Sequence, residues 1–169
     1  MGAVTIQVAE DFPASYPTVS GVTDASAAWQ RLEAHLSYRW GERSVTFHVE
    51  GPGEWSPPLV PFTLSLAEVW QSGVGWVSYT PDLAPQGWDL CGHGPYRFSG
   101  TLGSTDTPPE AVAEAVRRLD GFWATMDQER AASIEASDGD YSERRISGWQ
   151  AKALQLSGAA DLLRPWRRP

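Results

Sequence analysis

The chain has one cysteine, Cys91, and one lysine, Lys152, among its 169 residues. A single thiol cannot close an intrachain disulfide, so packing must hold the fold and nothing demands an oxidising compartment. No apolar run approaches the roughly 20 residues that span a bilayer, and no basic segment followed by a hydrophobic one stands at the N-terminus. The expectation is a soluble protein made inside the cell, without a membrane partner. Soft metal ligands are also scarce: His35, His48, His93 and Cys91 are the whole set, and only Cys91-Gly92-His93 lie close together. They show no zinc spacing. Gly51-Pro52-Gly53 and Gly73-Val74-Gly75 lack the further glycines or the lysine of a dinucleotide or phosphate loop. Asp138-Gly139-Asp140 lacks the later ligands of a calcium loop. Cys91 and His93, as thiol nucleophile and base, sit in a Gly-rich turn that says nothing of their approach in space. No metal, no cofactor and no enzymatic activity are expected.

What the chain does have is an uneven charge. Residues 1–140 hold seven basic and nineteen acidic side chains, a net of −12, whereas residues 141–169 hold six basic and two acidic, a net of +4. Two ends of one molecule then suit different partners. The overall net charge of −8 argues against a surface that clamps nucleic acid everywhere. Within the basic end, Trp149, Ala153 and Leu156 recur at helical spacing beside Leu154, Ser157-Gly158 offers a stop, and Leu162, Leu163 and Trp166 follow. Arg164, Arg167 and Arg168 cluster with them. Tryptophan and arginine dominate interface energetics, so this segment reads as a docking tail that either folds back on its own domain or inserts into a partner's groove.

Elsewhere, Val4, Ile6 and Val8 alternate with Thr5 and Gln7 inside an extended arm at 1–23, which should pair with its own sheet or a neighbour's edge. Asp24 is a good N-cap for a helix through Trp40, with Trp29, Leu32, Leu36 and Trp40 on one stripe. Residues 44–107 are short strands and turns: Val45, Phe47 and Val49 alternate, and further strands are expected at 59–66, 75–80 and 96–102, with 66–71 a strand end or a helical turn. Thr107-Pro108-Pro109-Glu110 combines a capping box with proline at the first helical position. The helix so opened carries Val112, Ala115, Val116, Leu119, Phe122, Trp123 and Met126 on one face to about 132. Residues 133–147 read as a flexible hinge and 148–169 as the tail. Trp55, Trp70, Trp76 and Trp88, with Tyr79 and Tyr96, suggest either a sheet core or an aromatic glycan-binding face, the core being favoured in so small a sheet.

The Pro-Pro-Glu-Ala-Val helix start at 108–112 and the ending Ser-Gly-Ala-Ala-Asp-Leu-Leu-Arg-Pro-Trp-Arg at 157–167 resemble the head-to-tail connector, or adaptor, proteins of long-tailed bacteriophages and gene transfer agents. The likeness covers about 24–168. It implies an α+β fold: a bundle of about three to four helices in a connector body at 24–132, with a small turn-rich antiparallel sheet inserted at 44–107 and a C-terminal docking tail. It also implies a non-enzymatic structural subunit of the virion neck, assembled in the host cytoplasm. Its copies form a homo-oligomeric ring, usually of twelve, between the portal protein and the next neck protein or tail. Genomic DNA passes through the lumen without sequence-specific binding, which acidic walls suit. By position the resemblance assigns portal binding to Trp149, Leu154, Leu156, Leu162, Leu163, Arg164, Trp166, Arg167 and Arg168. A stopper or tail terminator, with a more strand-dominated body, is the alternative within the neck, and an aromatic carbohydrate-binding module the alternative outside it.

Overall fold

Alternation at 45–50 makes strand β2 (Arg43–Glu50), whose Val45, Phe47 and Val49 turn inward while Ser44 and Glu50 meet solvent. The structure, a computed structural model, describes residues 2–135 and 149–167, with the backbone alone at 128–135 and 149–151. They fall into two compact units, Met1–Ser15 with Ser37–Asp106, and Tyr16–Leu36 with Thr107–Pro169.

The first unit is all strand. Around β2 a five-stranded antiparallel sheet forms in the order β1-β2-β8-β4-β5, from β1 (Val4–Glu10), β8 (Tyr96–Leu102), β4 (Phe62–Gln71) and β5 (Gly75–Ser78). A second, three-stranded sheet runs β3-β7-β6, from β3 (Gly53–Trp55), β7 (Gly87–Leu90) and β6 (Asp82–Ala84). Register brings Phe47 of β2 opposite Phe98 of β8, and Phe98 opposite Ala67 of β4, so one face of the large sheet is continuously apolar. Trp55 and Leu90 of the small sheet join that core. The Trp55 ring stacks on Phe98 at 4.5 Å between centroids and meets Phe47 edge-on at 5.6 Å. Such ring pairs favour offset or edge geometry because a ring's face is negative and its rim positive. At the far end of β1, the Glu10 carboxylate accepts from Arg39 Nε at 2.8 Å and Arg43 Nη1 at 3.0 Å. Arg43 also donates to the carbonyls of Trp40 and Gly41, which lets its guanidinium lie buried.

The second unit is helical. Helix α1 (Ser26–Glu33) buries Ala28, Trp29 and Leu32, and the Ser26 N–H donates to the Asp24 carboxylate at 3.0 Å. Residues just before it pack back: Trp29 Nε1 donates to Pro17 O at 3.0 Å and the Tyr16 hydroxyl to Glu33 Oε2 at 3.3 Å. Helix α2 (Glu110–Glu135) begins after Pro109, whose carbonyl accepts from Val112 and Ala113. Its Val112, Ala115, Val116 and Leu119 are fully buried, and α1, α3 (Trp149–Leu156) and α4 (Ala159–Leu162) all pack on it.

The expected bundle of three to four helices with a small inserted sheet is not the architecture: eight strands in two antiparallel sheets form a compact unit in their own right, rather than a small insertion in a helical bundle. The main cause is an ambiguity of even spacing. Leu36 and Trp40 are four apart, which fits one helix face but equally one strand face. Helix α1 stops at Glu33, and Tyr38 and Trp40 form parallel bridges to Val60 and Ser104 instead. Residues 66–71 are the second half of the ten-residue β4, not a helical turn. Strands β6 and β7, three and four residues long, are too short to show any alternation. The expected body at 24–132 divides between the units at 36/37 and 106/107, and the arm divides at 15/16. The expected hinge starts inside α2, and residues 136–147 lie outside the described residues.

Candidate functional site

The C-terminal segment is built from two short helices joined at a glycine. The stop at Ser157-Gly158 is real: Ser157 N–H donates to Ala153 O at 2.9 Å and Gly158 N–H to Gln155 O at 3.1 Å, closing α3. Gly158 has φ of +73°, the left-handed region where a side chain is strained, and so turns the chain into α4. A 3₁₀ turn over Arg164–Trp166, with Pro165 fixing its backbone, ends the segment, and the Trp166 N–H donates to Leu163 O at 3.1 Å.

This geometry sorts the residues expected to bind a portal into two sets. Leu154 and Leu163 are buried, with Ala153 and Ala159, in a segment whose α3 and α4 pack on α2 of the same unit. The folded-back arrangement therefore accounts for both leucines. Leu156, Arg164 and Arg167 are exposed and Leu162 and Trp166 half-buried, which leaves an outer face of two apolar side chains, one tryptophan and two guanidiniums. Leu156 is 56% exposed, far more than an apolar residue needs in a settled helix pair. Arg164 Nε reaches Asp161 at 3.0 Å, but both are well exposed, so solvent screens the pair and leaves the arginine available. The Trp149 side chain and Arg168 lie outside the described residues.

A second group of chemically capable side chains lies on the polar face of the large sheet. Two nitrogens of Arg97 on β8 bind Glu68 Oε2 on β4, at 2.6 and 2.7 Å, and the guanidinium carbon stands 4.5 Å over the Trp76 ring on β5. His48 meets that ring edge-on at 5.7 Å and Trp70, its cross-strand partner, at 5.4 Å. Sequence reading missed Arg97 and Glu68. Strict alternation in Tyr96-Arg97-Phe98 was the available signal, since it sends Arg97 to the face opposite two core aromatics. Of the six aromatics considered as a glycan platform, Trp55 and Tyr96 are core, Trp88 stacks on Trp55 and Phe98, and Tyr79 packs against the core beside Tyr96. Trp70 and Trp76 remain, and their planes cross at 70°, so they do not form one flat platform for a sugar ring.

Elsewhere the candidate chemistry stays apart. The exposed Cys91 has its sulfur 3.9 Å from an Asp82 oxygen, and the His93 carbonyl accepts from Gly51 N–H. Among the described residues no group of three or more His, Cys, Asp or Glu side chains is placed to hold a metal ion, and no helix is long and apolar enough to cross a membrane. Asp138-Gly139-Asp140 lies outside the described residues. In comparisons with known proteins, no family model, curated protein or solved structure matches the chain.

Proposed function

We propose that the chain is a structural adaptor subunit of a phage neck, one of a ring of copies that attaches to the portal through its C-terminal segment and continues the DNA channel toward the tail. The observation that carries this reading is the two-faced C-terminal segment. Its leucine and alanine face is seated on α2, while Leu156, Leu162, Arg164, Trp166 and Arg167 are held outward on a preformed scaffold. A docking device already ordered loses less entropy on binding than a loose tail, and a ring multiplies each weak attachment. Charge supports the same division: the strand unit has nine acidic and three basic side chains, and all three arginines are paired with carboxylates. Such a wall would repel rather than hold DNA.

Within the neck, the eight-strand body favours a second reading, a stopper or tail terminator, in which the sheet unit makes the ring contacts. Point variants on the outer face separate the readings without uncovering α2. Trp166→Ala with Arg164→Ala and Arg167→Ala should reduce co-sedimentation with purified portal rings at least tenfold while the circular dichroism spectrum is unchanged. Undiminished portal attachment would remove the adaptor reading, and attachment to tail tubes alone would favour the terminator.

A further inference from the structure

Among the described residues, both edges of the five-stranded sheet lack a second neighbour: the order β1-β2-β8-β4-β5 leaves β1 at one end and β5 at the other. A strand so placed presents a row of N–H and C=O groups to any extended chain that comes beside it. Strand β1 has neither proline nor lysine, and its one charge, Glu10, is turned to Arg39 and Arg43. Strand β5 has no proline and no charge.

The two edges also suit each other. Val4, Ile6 and Val8 on β1, and Trp70 and Val74 at the β4–β5 hairpin, are each at least 40% exposed. Residues 2–9 and 69–81 carry no charged side chain, in a strand unit that is otherwise acidic. Two copies therefore meet edge to edge with the least repulsion, and with apolar surface there to cover. Strand direction selects how they meet. The pairs β1–β2, β2–β8, β8–β4 and β4–β5 are all antiparallel, so after four reversals β1 and β5 run the same way. One cross-strand row spans the whole sheet through Gln7, His48, Arg97, Glu68 and Ser78, and its two ends, Gln7 and Ser78, are exposed. A copy related by rotation about an axis along the strands keeps their direction, so its β5 lies parallel to the first copy's β1 and its Ser78 extends the row beyond Gln7.

We propose that the ring closes through this sheet: β1 of one copy adds to β5 of the next as a parallel pair, each edge being covered by the opposite edge of a second copy. Because two different edges meet, the contact is heterologous, the kind that closes a ring, whereas β1 on β1 would stop at a dimer and leave β5 bare. A single junction is small, since β5 has only four residues, and closure multiplies it. The inference rests on the ring that both neck readings above require, and not on which of them holds.

The test is disulfide trapping on the full chain carrying Cys91→Ser, which leaves only introduced thiols. Val4, Gln7 and Ala9 lie on the same face of the sheet as Ser78, so each is changed to cysteine together with Ser78→Cys. Under mild oxidation at least one of the three pairs should give a ladder of dimer, trimer and larger species on denaturing gels, while the single-cysteine variants give none. Dimer from a single β1 cysteine would mean that two β1 strands meet each other, and overturns the proposal. The mass of the unaltered chain at rising concentration separates the junction from the ring: rings without any ladder overturn the junction alone, and a chain that stays monomeric and gives no ladder overturns the ring as well. Val4→Glu with Ile6→Glu, both at exposed positions, should weaken association about tenfold or more with the circular dichroism spectrum unchanged. Undiminished association also overturns the junction. Portal co-sedimentation by the outer-face variants above tests the adaptor reading separately.

Discussion

Glu10 receives two guanidiniums, and it does so at the end of an edge strand, where a sheet most easily frays. Arg43 has 3% of its side chain exposed, so removing the carboxylate takes a countercharge from a buried guanidinium rather than merely losing a surface pair. Glu10→Gln should lower stability by about 3 kcal/mol in urea unfolding, at the low end for breaking a buried ion pair. A loss under 1 kcal/mol would mean that the cluster behaves as a surface pair. Gly100 on β8 has a different constraint: a Cβ there would stand 2.1 Å from the Thr63 carbonyl oxygen and 2.8 Å from the Phe62 ring. Because the first obstacle is backbone, the two strands must separate to admit even a methyl group. Gly100→Ala should cost about 2 kcal/mol, measured by thermal unfolding, and an unchanged midpoint would show that β4 and β8 can part. Neither role was legible in the sequence. Glu10 lies 29 residues from Arg39, and Gly100 reads only as a weak point in a strand until its neighbour across the ladder is known.

At the scale of elements, legibility depended on which spacing carried the signal. Helix α2 was readable from both directions, by the prolines at its start and by a stripe containing odd steps such as Val116 to Leu119, which no strand face reproduces. Strand β2 was equally clear because Val45, Phe47 and Val49 leave no alternative period. The stretch 34–40 failed because its signal was an even step, and β6 and β7 failed for want of length. The C-terminal cluster of tryptophan, leucine and arginine stood out by composition, but which leucines would be buried depended on how two short helices turn at Gly158. The start of α2 also carries a pH dependence. Arg118 first and Arg117 second hold the Glu114 carboxyl below its usual 4.5, and Arg117 also binds Glu110. Since the folded value is the lower one, this support is complete above pH 4.5 and is lost as pH falls through the folded value. Exchange protection in the first turn of α2 should therefore decline on acidification toward pH 3, and Glu114→Gln should flatten that decline. An identical decline in the variant would assign it to other carboxylates.

For the whole molecule, the order of segments along the chain is the main fact: the strand unit owns Met1–Ser15 and Ser37–Asp106, and the helical unit owns what lies between and after. A chain ending at Asp106 holds every strand, yet leaves α1 without α2 to cover Trp29 and Leu32. Such a fragment should keep the far-ultraviolet signature of a sheet and cooperative unfolding, with α1 exchanging freely. A wholly unfolded fragment would mean that the strand unit needs its neighbour. Because the backbone passes between the units at 15/16, 36/37 and 106/107, three covalent tethers run in parallel from one to the other. While the helical unit stays folded, a pull that parts the two units is therefore shared among three peptide crossings, and cutting the backbone at any one of them leaves the other two holding.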